Sequence, residues 1–410
     1  MGWDFLPESE EMNNAFKSGG VEECRKLLES KRDEWKNIPL NVAVIGNSGV
    51  GKSSFINAIR RLTADDEGGA PVGVKETTVQ IRSYQHPDNP MLKFWDLPGV
   101  GTGRFPKETY LSDINVDCYD FFLLMTADRF TENDTWLGKE IRGRNKKHFF
   151  VRTKIGLDVK NDRKAHPKSH NEKAVMKDIR ESTLQHLRDN GCEDVPVFLI
   201  DNYKLMKFDF EQLEHRLVED FPQLKKTALV LSLKATSEEI IRLKVAELRS
   251  RMWKVAALSG AVAVIPLPGL STLFDFGLVV EETDVYYSQL GLDETSLKRY
   301  AELTSCEYQQ LQSVVDGHFG FRVFGIEGIK KLIQTMWMRI PPVVATGVAL
   351  EEGCKYLPII GSFIAGPLSF GGTYYALKVV LDKMESVALE VVTAAADSAA
   401  NAEQSDSDDD

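Results

Sequence analysis

Cysteine is scarce in this chain of 410 residues, which contains five. None of them lies at the spacing of a zinc site or of a disulfide framework. Disulfides are rare in reducing compartments, so a chain without such a framework is expected in the cytoplasm. The five positions are Cys24, Cys118, Cys192, Cys306 and Cys354.

Positive charge is also in short supply. The chain has 50 Lys and Arg against 61 Asp and Glu, a formal net charge of −11. Proteins that bind nucleic acid need clustered Lys and Arg that create a positive field. We therefore expect no nucleic-acid partner. The acidic segment 399–410 is predicted to be a disordered tail.

The chain lacks a long hydrophobic run without interruptions. Residues 255–274 and 356–377 carry no charge and are long enough by count to cross a bilayer. Proline and glycine interrupt both runs, which favours buried helical hairpins over simple membrane-spanning helices. The chain also begins without the charged-then-apolar pattern of a signal peptide.

A strand-like run that leads into G-x-x-x-x-G-K-S is the most informative pattern present. Val42 to Ile45 predict a buried parallel strand, and Ser53 to Arg60 predict the start of a helix. Lys52 would contact the β- and γ-phosphates, and the Ser53 hydroxyl would bind Mg²⁺. The pattern therefore predicts a nucleoside triphosphate site. Its predicted nucleotide-binding residues are Gly46, Asn47, Ser48, Gly49, Val50, Gly51, Lys52, Ser53 and Ser54.

A second motif, Asp96-Leu97-Pro98-Gly99, has the D-x-x-G arrangement of GTPases. Asp96 would hold Mg²⁺ through a water, and the Gly99 amide would sense the γ-phosphate. The preceding segment 64–78 has no helical or strand period and is predicted to be a switch loop. Within it, Thr78 is the best candidate to complete the Mg²⁺ shell, with Thr77 as the alternative.

The segment expected to recognise the base lacks its acid. After a predicted strand, the chain has Thr153-Lys154-Ile155-Gly156, where GTPases carry [N/T]-K-x-D. That aspartate pairs with guanine N1–H and the 2-amino group and is the main source of base selectivity. Two replacements remain open, Asp158 and the pair that follows the predicted strand 195–200. The candidate base-binding residues are Thr153, Lys154, Asp158, Asp201 and Asn202.

These motifs together resemble the immunity-related GTPases, the interferon-inducible family of dynamin-like GTPases. Lys52 places the chain on the GKS side of that family. The resemblance is carried by G-N-S-G-V-G-K-S, G-V-K-E-T-T at 73–78, F-W-D-L-P-G-V-G at 94–101, Y-D-F-F-L-L-M-T-A-D-R-F at 119–130, F-V-R-T-K at 150–154, D-E-T-S-L at 293–297 and a helical C-terminal half.

The resemblance implies a fold. An α/β P-loop GTPase domain with a doubly wound, mostly parallel sheet is combined with an all-α domain built from both chain ends. The expected divisions are an N-terminal helical segment 1–37, a GTPase domain 38–222, a helical domain 223–398 and the tail 399–410.

The resemblance also implies a catalytic mechanism. Small GTPases orient the attacking water with a glutamine after the D-x-x-G glycine, whereas this chain has Val100. Hydrolysis by the monomer should therefore be slow, and the resemblance implies that self-association activates it. In this family a switch glutamate is implicated, and it corresponds to Glu76. The expected catalytic residues are thus Glu76, Lys52 and Gly99, with Ser53, Thr78 and Asp96 as metal ligands.

As a family member, the protein is expected to act in cell-autonomous defence. Its expected partners are itself, other immunity-related GTPases and, peripherally, intracellular or pathogen-containing membranes such as endoplasmic reticulum, Golgi or vacuole. Because Gly156 removes the base-recognising carboxylate, an alternative is a non-catalytic, nucleotide-dependent membrane scaffold with impaired guanine selectivity.

Overall fold

The computed structural model describes residues 9–73, 80–101, 105–262, 270–304, 306–319 and 367–408. The chain divides into two compact units. One is Ile38–Leu233, called the sheet unit here, and the other combines Met1–Asn37 with Lys234–Asp410 and is called the helical unit. The helical unit therefore draws on both chain ends.

In its described residues, the sheet unit is built on six strands in the order β2-β3-β1-β4-β5-β6. Every neighbouring pair is parallel except β2 and β3, which are antiparallel. This confirms the predicted mostly parallel α/β sheet. The strands are β1 (Leu40–Ile45), β2 (Arg82–His86), β3 (Asn89–Leu97), β4 (Phe121–Thr126), β5 (Lys147–Arg152) and β6 (Val197–Leu199).

Helices alternate with the strands of this unit. Strands β1 and β4 are almost entirely buried, as expected for the centre of a parallel sheet that is covered on both faces. The helices are α2 (Lys52–Ile59), α3 (Tyr110–Asp113), α4 (Glu132–Gly143), α5 (Ile155–Ala165), α6 (Glu172–Asp189), α7 (Phe210–Asp220) and α8 (Gln223–Ser232).

The strand register gathers several loops at one edge of the sheet. Ile45 at the end of β1 is level with Leu97 on β3 and with Leu124 on β4. Thr126 on β4 is in turn level with Arg152 at the end of β5. In an open α/β sheet, ligands bind outside the carboxyl ends of the strands. A ligand site is therefore expected among the segments after β1, β3, β5 and β6.

The predicted boundary after residue 222 is wrong by one helix. Helix α8 lies in the sheet unit, where it contacts β1 and β3. The Lys225 ammonium donates to the Pro39 carbonyl at 2.7 Å, and Asn89 Nδ2 donates to Ser232 Oγ at 2.8 Å. Pro222, at the predicted boundary, directly precedes the start of α8.

The described part of the helical unit consists of helices and their connections. Its central helix α9 packs against α1, α10 and α13. Helix α1 is interrupted at Gly19 and Gly20, which leave helical geometry. The helices are α1 (Ser9–Arg32), α9 (Glu238–Val262), α10 (Leu270–Gln289), α11 (Glu294–Thr304), α12 (Tyr308–Phe319) and α13 (Pro367–Asp408), with a 3₁₀ turn at Glu34–Asn37.

A buried ion-pair network joins the N-terminal segment of the helical unit to its C-terminal helices. Arg251 on α9 donates to both carboxylate oxygens of Glu282 on α10, at 2.7 and 3.1 Å. Its remaining terminal nitrogen lies 3.1 Å from Asp33 Oδ1. Burial alone would lower the pKa of Arg251, but the two carboxylates raise it, so this guanidinium is charged in the fold.

The expected disorder of the tail is wrong over most of its length. Helix α13 continues to Asp408, so it crosses the predicted division at residue 398. Residues 394–402 contain six alanines, the best helix former, and they extend the helix into the acidic end. Residues 409–410 lie outside the described part of the chain.

The two uncharged runs are only partly covered. Residues 263–269 and 356–366 lie outside the described part of the chain, so the predicted hairpins stay a prediction. Among the helices that the structure does describe, none is both long and apolar enough to cross a membrane.

Candidate functional site: the cleft at the carboxyl edge of the sheet

The segment between β1 and α2 forms the predicted phosphate loop. It turns through Gly51, whose φ of 92° is in the left-handed region that favours glycine. Immediately after this turn, helix α2 begins at Lys52. The chain therefore presents the N-terminus of a helix and a run of backbone N–H groups at the carboxyl end of the central strand. Such an arrangement is suited to binding phosphate.

The Lys52 side chain is held inside this loop, with 4% of its surface exposed. Its ammonium donates to the carbonyls of Gly46 at 2.8 Å and of Asn47 at 3.3 Å. The Asp96 Oδ1 atom lies 3.8 Å from it. The positive charge is thus fixed within the loop by short contacts.

The two predicted metal ligands of the described residues are in direct contact. The Ser53 hydroxyl donates to Asp96 Oδ2 at 2.8 Å. Asp96 lies near the end of β3 and is 2% exposed. Hydroxyl and carboxylate oxygens are ligands that Mg²⁺ prefers, so this donor pair fits the ion. The predicted residues Glu76, Thr77 and Thr78 lie outside the described part of the chain.

Gly99 lies against the phosphate loop. A Cβ added to Gly99 would overlap the side-chain oxygen of Asn47, so a larger residue would push the two segments apart. The next residue, Val100, is buried in the hydrophobic core. The Val100 side chain therefore packs in the core, and it has no polar group that could orient a water.

Two side chains of the predicted base-recognition loops tie them to the phosphate loop. The buried Thr153 hydroxyl donates to the Val50 carbonyl at 2.6 Å. The Asn202 amide donates to the Gly51 carbonyl at 3.0 Å. These two predicted nucleotide-binding residues thus hold the three loops in a fixed relation.

A cleft of about 440 Å³ lies between these loops, within the range of small-ligand sites. Nine of the residues predicted from the sequence line it. Asp158 is not one of its lining residues, and its Oδ2 accepts from Arg152 at 2.9 Å. The cleft is lined by Ser48, Gly49, Gly51, Lys52, Ser53, Ser54, Val72, Gly73, Lys154, Leu157, Asp201, Asn202 and Tyr203.

Sequence reasoning missed three apolar lining residues, Val72, Leu157 and Tyr203. All are exposed, and Tyr203 is the most exposed of them at 78%. The Tyr203 hydroxyl lies 3.3 Å from Ser54 Oγ, next to the phosphate loop. Large apolar groups exposed beside polar loops are suited to covering the faces of a base or ribose. The only sequence signal was the position of Tyr203 directly after Asp201 and Asn202.

The chain also has known relatives. The family model described as Interferon-inducible GTPase (IIGP) matches residues 7–337. Interferon-inducible GTPase 5 of Rattus norvegicus is 33% identical over 384 residues, covering 94% of this chain and 81% of that protein. T-cell-specific guanine nucleotide triphosphate-binding protein 2 of Mus musculus is 35% identical over 368 residues, covering 89% and 82%. A match of this extent on both sides, around an intact phosphate loop, means that this chain belongs to the interferon-inducible GTPase family.

Proposed function

We propose that the protein binds GTP together with Mg²⁺ and hydrolyses it to GDP and phosphate. The observation that carries this proposal is the cleft that Lys52 and Ser53 line beside the base-recognition loops, with Asp96 hydrogen-bonded to Ser53. Membership of a GTPase family supports it. The relative named as a guanine nucleotide triphosphate-binding protein supports the choice of nucleotide.

In this proposal the triphosphate lies along the loop between β1 and α2. Backbone N–H groups of the loop and the Lys52 ammonium would bind phosphate oxygens, and the N-terminus of α2 adds favourable potential. Ser53 and Asp96 would hold Mg²⁺, which when bound neutralises negative charge on the phosphate oxygens. The Gly99 backbone, held against Asn47, would report whether the γ-phosphate is present.

The proposed hydrolysis is slow in the monomer. Val100 is buried and cannot orient the attacking water. Glu76 is the proposed water-positioning residue, on the strength of the family resemblance, with Thr78 as the further ligand of Mg²⁺. Two GTP-bound copies would associate through their nucleotide faces and order each other's switch loops, which would raise the rate.

The proposed setting is the cytoplasm, with peripheral association to intracellular or pathogen-containing membranes. Self-association is the main proposed interaction, and other immunity-related GTPases are further proposed partners. Family membership supports a role in interferon-induced, cell-autonomous defence.

A second candidate function is a non-catalytic scaffold that binds nucleotide with little base selectivity. The observation that favours it is Gly156, which has no carboxylate for guanine. Such a protein would keep the phosphate contacts of Lys52 and lose the discrimination between GTP and other triphosphates.

The test is binding of labelled GTP to the full-length protein, with and without Mg²⁺, in competition with ATP, ITP and XTP. Lys52→Ala removes a charge-assisted phosphate contact worth ~1.5–3 kcal/mol, so affinity should fall roughly 10- to 150-fold. Lys173→Ala, an exposed lysine on α6, is the matched control. Unchanged binding by Lys52→Ala would mean that the loop is not the phosphate site.

Turnover is measured on the same samples. Phosphate release per molecule should rise with protein concentration if self-association activates hydrolysis. A rate per molecule that stays constant over a wide concentration range would contradict activation by self-association, and no release at all would favour the scaffold.

A further inference from the structure

The two loops at the base end of the cleft are joined by their backbones. Ile200 N donates to the Arg152 carbonyl at 2.8 Å, continuing the pairing of β5 with β6. One step further, Ile155 N donates to the Ile200 carbonyl at 3.2 Å. Gly156 and Asp201 are the next residues on the two segments, so these bonds bring them side by side.

The side chain of Asp201 occupies space that a side chain at position 156 would need. A Cβ built on Gly156 would overlap Asp201 Oδ2, in a contact closer than real Cβ atoms make. Asp201 Cγ would lie 3.4 Å from that Cβ. One oxygen of the Asp201 carboxylate thus lies directly against the position of the first side-chain carbon of the base-recognising aspartate of GTPases.

The position of the Asp201 carboxylate is fixed by its own segment. Its Oδ1 accepts from the backbone N–H of Tyr203 at 2.9 Å. The Asp201 carbonyl accepts from Lys204 N at 3.2 Å, which closes the turn. A carboxylate oxygen has two acceptor sites, so the bond to Tyr203 leaves capacity on both oxygens. Asp201 therefore lines the cleft as a preorganised acceptor.

The rival carboxylate is placed differently. Asp158 lies one turn into α5 and is paired with Arg152 at 2.9 Å. It is not among the residues that line the cleft. To reach a base, Asp158 would have to give up this ion pair and move, whereas Asp201 already lies at the cleft.

We propose that Asp201 supplies the carboxylate that recognises guanine, in place of the aspartate missing at position 156. This rests on the proposed function of the cleft as a GTP site. The two oxygens would accept from guanine N1–H and from its 2-amino group, the contacts that select guanine. Adenine has no N–H donor at that ring position, so a carboxylate rejects it.

The absence of a side chain at Gly156 is linked to the position of the Asp201 carboxylate. Because any Cβ there overlaps Asp201 Oδ2, an aspartate at 156 and the observed Asp201 conformation exclude each other. With Asp201 in this conformation, the base-recognising carboxylate would come from the loop after β6.

The deciding experiment compares GTP, ITP and XTP binding to full-length Asp201→Asn and to the parent. An asparagine offers one acceptor and one donor, which complement the N1–H and the C2 carbonyl of xanthine. We expect GTP to bind at least about tenfold more weakly and XTP at least about tenfold more tightly in Asp201→Asn. Asp194→Asn, an exposed aspartate ahead of β6, is the control and should keep the parent's preference.

A second pair of variants returns the carboxylate to the usual position. Asp201→Ser alone should lose the preference for GTP, and adding Gly156→Asp to it should restore the preference at least about tenfold. This pair gives the answer even if Asp201→Asn fails to fold, which circular dichroism and thermal unfolding would reveal.

The outcomes separate the two levels of the proposal. If the parent prefers GTP but Asp201→Asn and Asp201→Ser keep that preference, the assignment of Asp201 is overturned while GTP binding stands. The same exchange at Asp158 tests the rival: if Asp158→Asn alone turns the preference toward XTP, Asp158 is the base-recognising carboxylate. If the parent binds none of the triphosphates, the proposed function fails and this inference fails with it.

Discussion

Asn57 on α2 fixes, through two hydrogen bonds, the segment that leads from this helix to the edge of the cleft. Its amide nitrogen donates to the Ala70 carbonyl at 2.8 Å, and its amide oxygen accepts from Ala70 N at 2.6 Å. Asn57 is 4% exposed and Ala70 is 0% exposed. A short distance further, Val72 and Gly73 line the cleft. The perturbation that tests this link is Asn57→Ala.

The expected cost follows from the two bonds. Asn57→Ala leaves the Ala70 N–H and carbonyl without a side-chain partner at a position that water does not reach. Each buried polar group left unsatisfied costs ~1–3 kcal/mol. Alanine gains back ~0.5 kcal/mol through its helix propensity. We therefore expect the free energy of unfolding of the sheet unit to fall by ~1.5–5.5 kcal/mol.

The assay combines chemical unfolding with hydrogen–deuterium exchange. The Ala70 amide should exchange faster in Asn57→Ala because its acceptor is gone, and GTP affinity should fall as Val72 and Gly73 lose their fixed position. Asn161→Ala, an exposed asparagine on α5, is the control and should change stability by less than ~0.5 kcal/mol. A loss below ~1 kcal/mol together with unchanged exchange at Ala70 would refute the reasoning.

Two further changes test other parts of the fold. Burial, with a contribution from Arg142, lowers the pKa of His148 from 6.5 to about 4. Between these two pKa values the unfolded chain binds a proton at His148 that the folded chain does not bind, so ~3 kcal/mol of stability should be lost between pH 7 and pH 4. His148→Phe should remove that part of the measured pH dependence of stability. Parallel stability–pH profiles of the variant and the parent would contradict this expectation. Arg251→Met leaves the Glu282 carboxylate buried without its ion-pair partner, so thermal unfolding should show that the free energy of unfolding falls by ~3–5 kcal/mol. Adding Glu282→Leu should largely reverse this loss. Arg242→Met, which breaks an exposed pair, should cost less than ~1 kcal/mol, and a double variant no better than Arg251→Met would count against the network.

The phosphate side of the cleft could be predicted because its functional residues lie close together in the sequence at a characteristic spacing. Lys52 and Ser53 follow a buried strand within one loop, and the fold adds only the position of α2. Asp96 is distant in sequence, but it ends a second strand of the same parallel sheet. Since carboxyl ends of parallel strands share an edge, its contact with Ser53 was also within reach of sequence reasoning.

Other features depended on tertiary contacts that no short pattern records. Helix α8 reads like the start of the helical region, and only its contacts with β1 and β3 place it in the sheet unit. The alanines of residues 394–402 outweighed the acidic composition that suggested disorder. Tyr203 and Val72 look like ordinary loop residues until the cleft between them is seen.

The relation between Gly156 and Asp201 is of this second kind, and it bears directly on the choice between enzyme and scaffold. A comparison of the [N/T]-K-x-D motif alone indicates that Gly156 has removed the base-recognising carboxylate, because such a comparison considers one loop at a time. The pairing of β5 with β6 makes the ends of two strands neighbours, so a carboxylate can reach the same place from either loop. In the observed conformation of Asp201, a side chain at position 156 would overlap its carboxylate. The scaffold alternative is supported by the missing carboxylate alone. If Asp201→Asn exchanges a preference for GTP for one for XTP, that carboxylate is present in the cleft, and the only observation that favours a scaffold is removed.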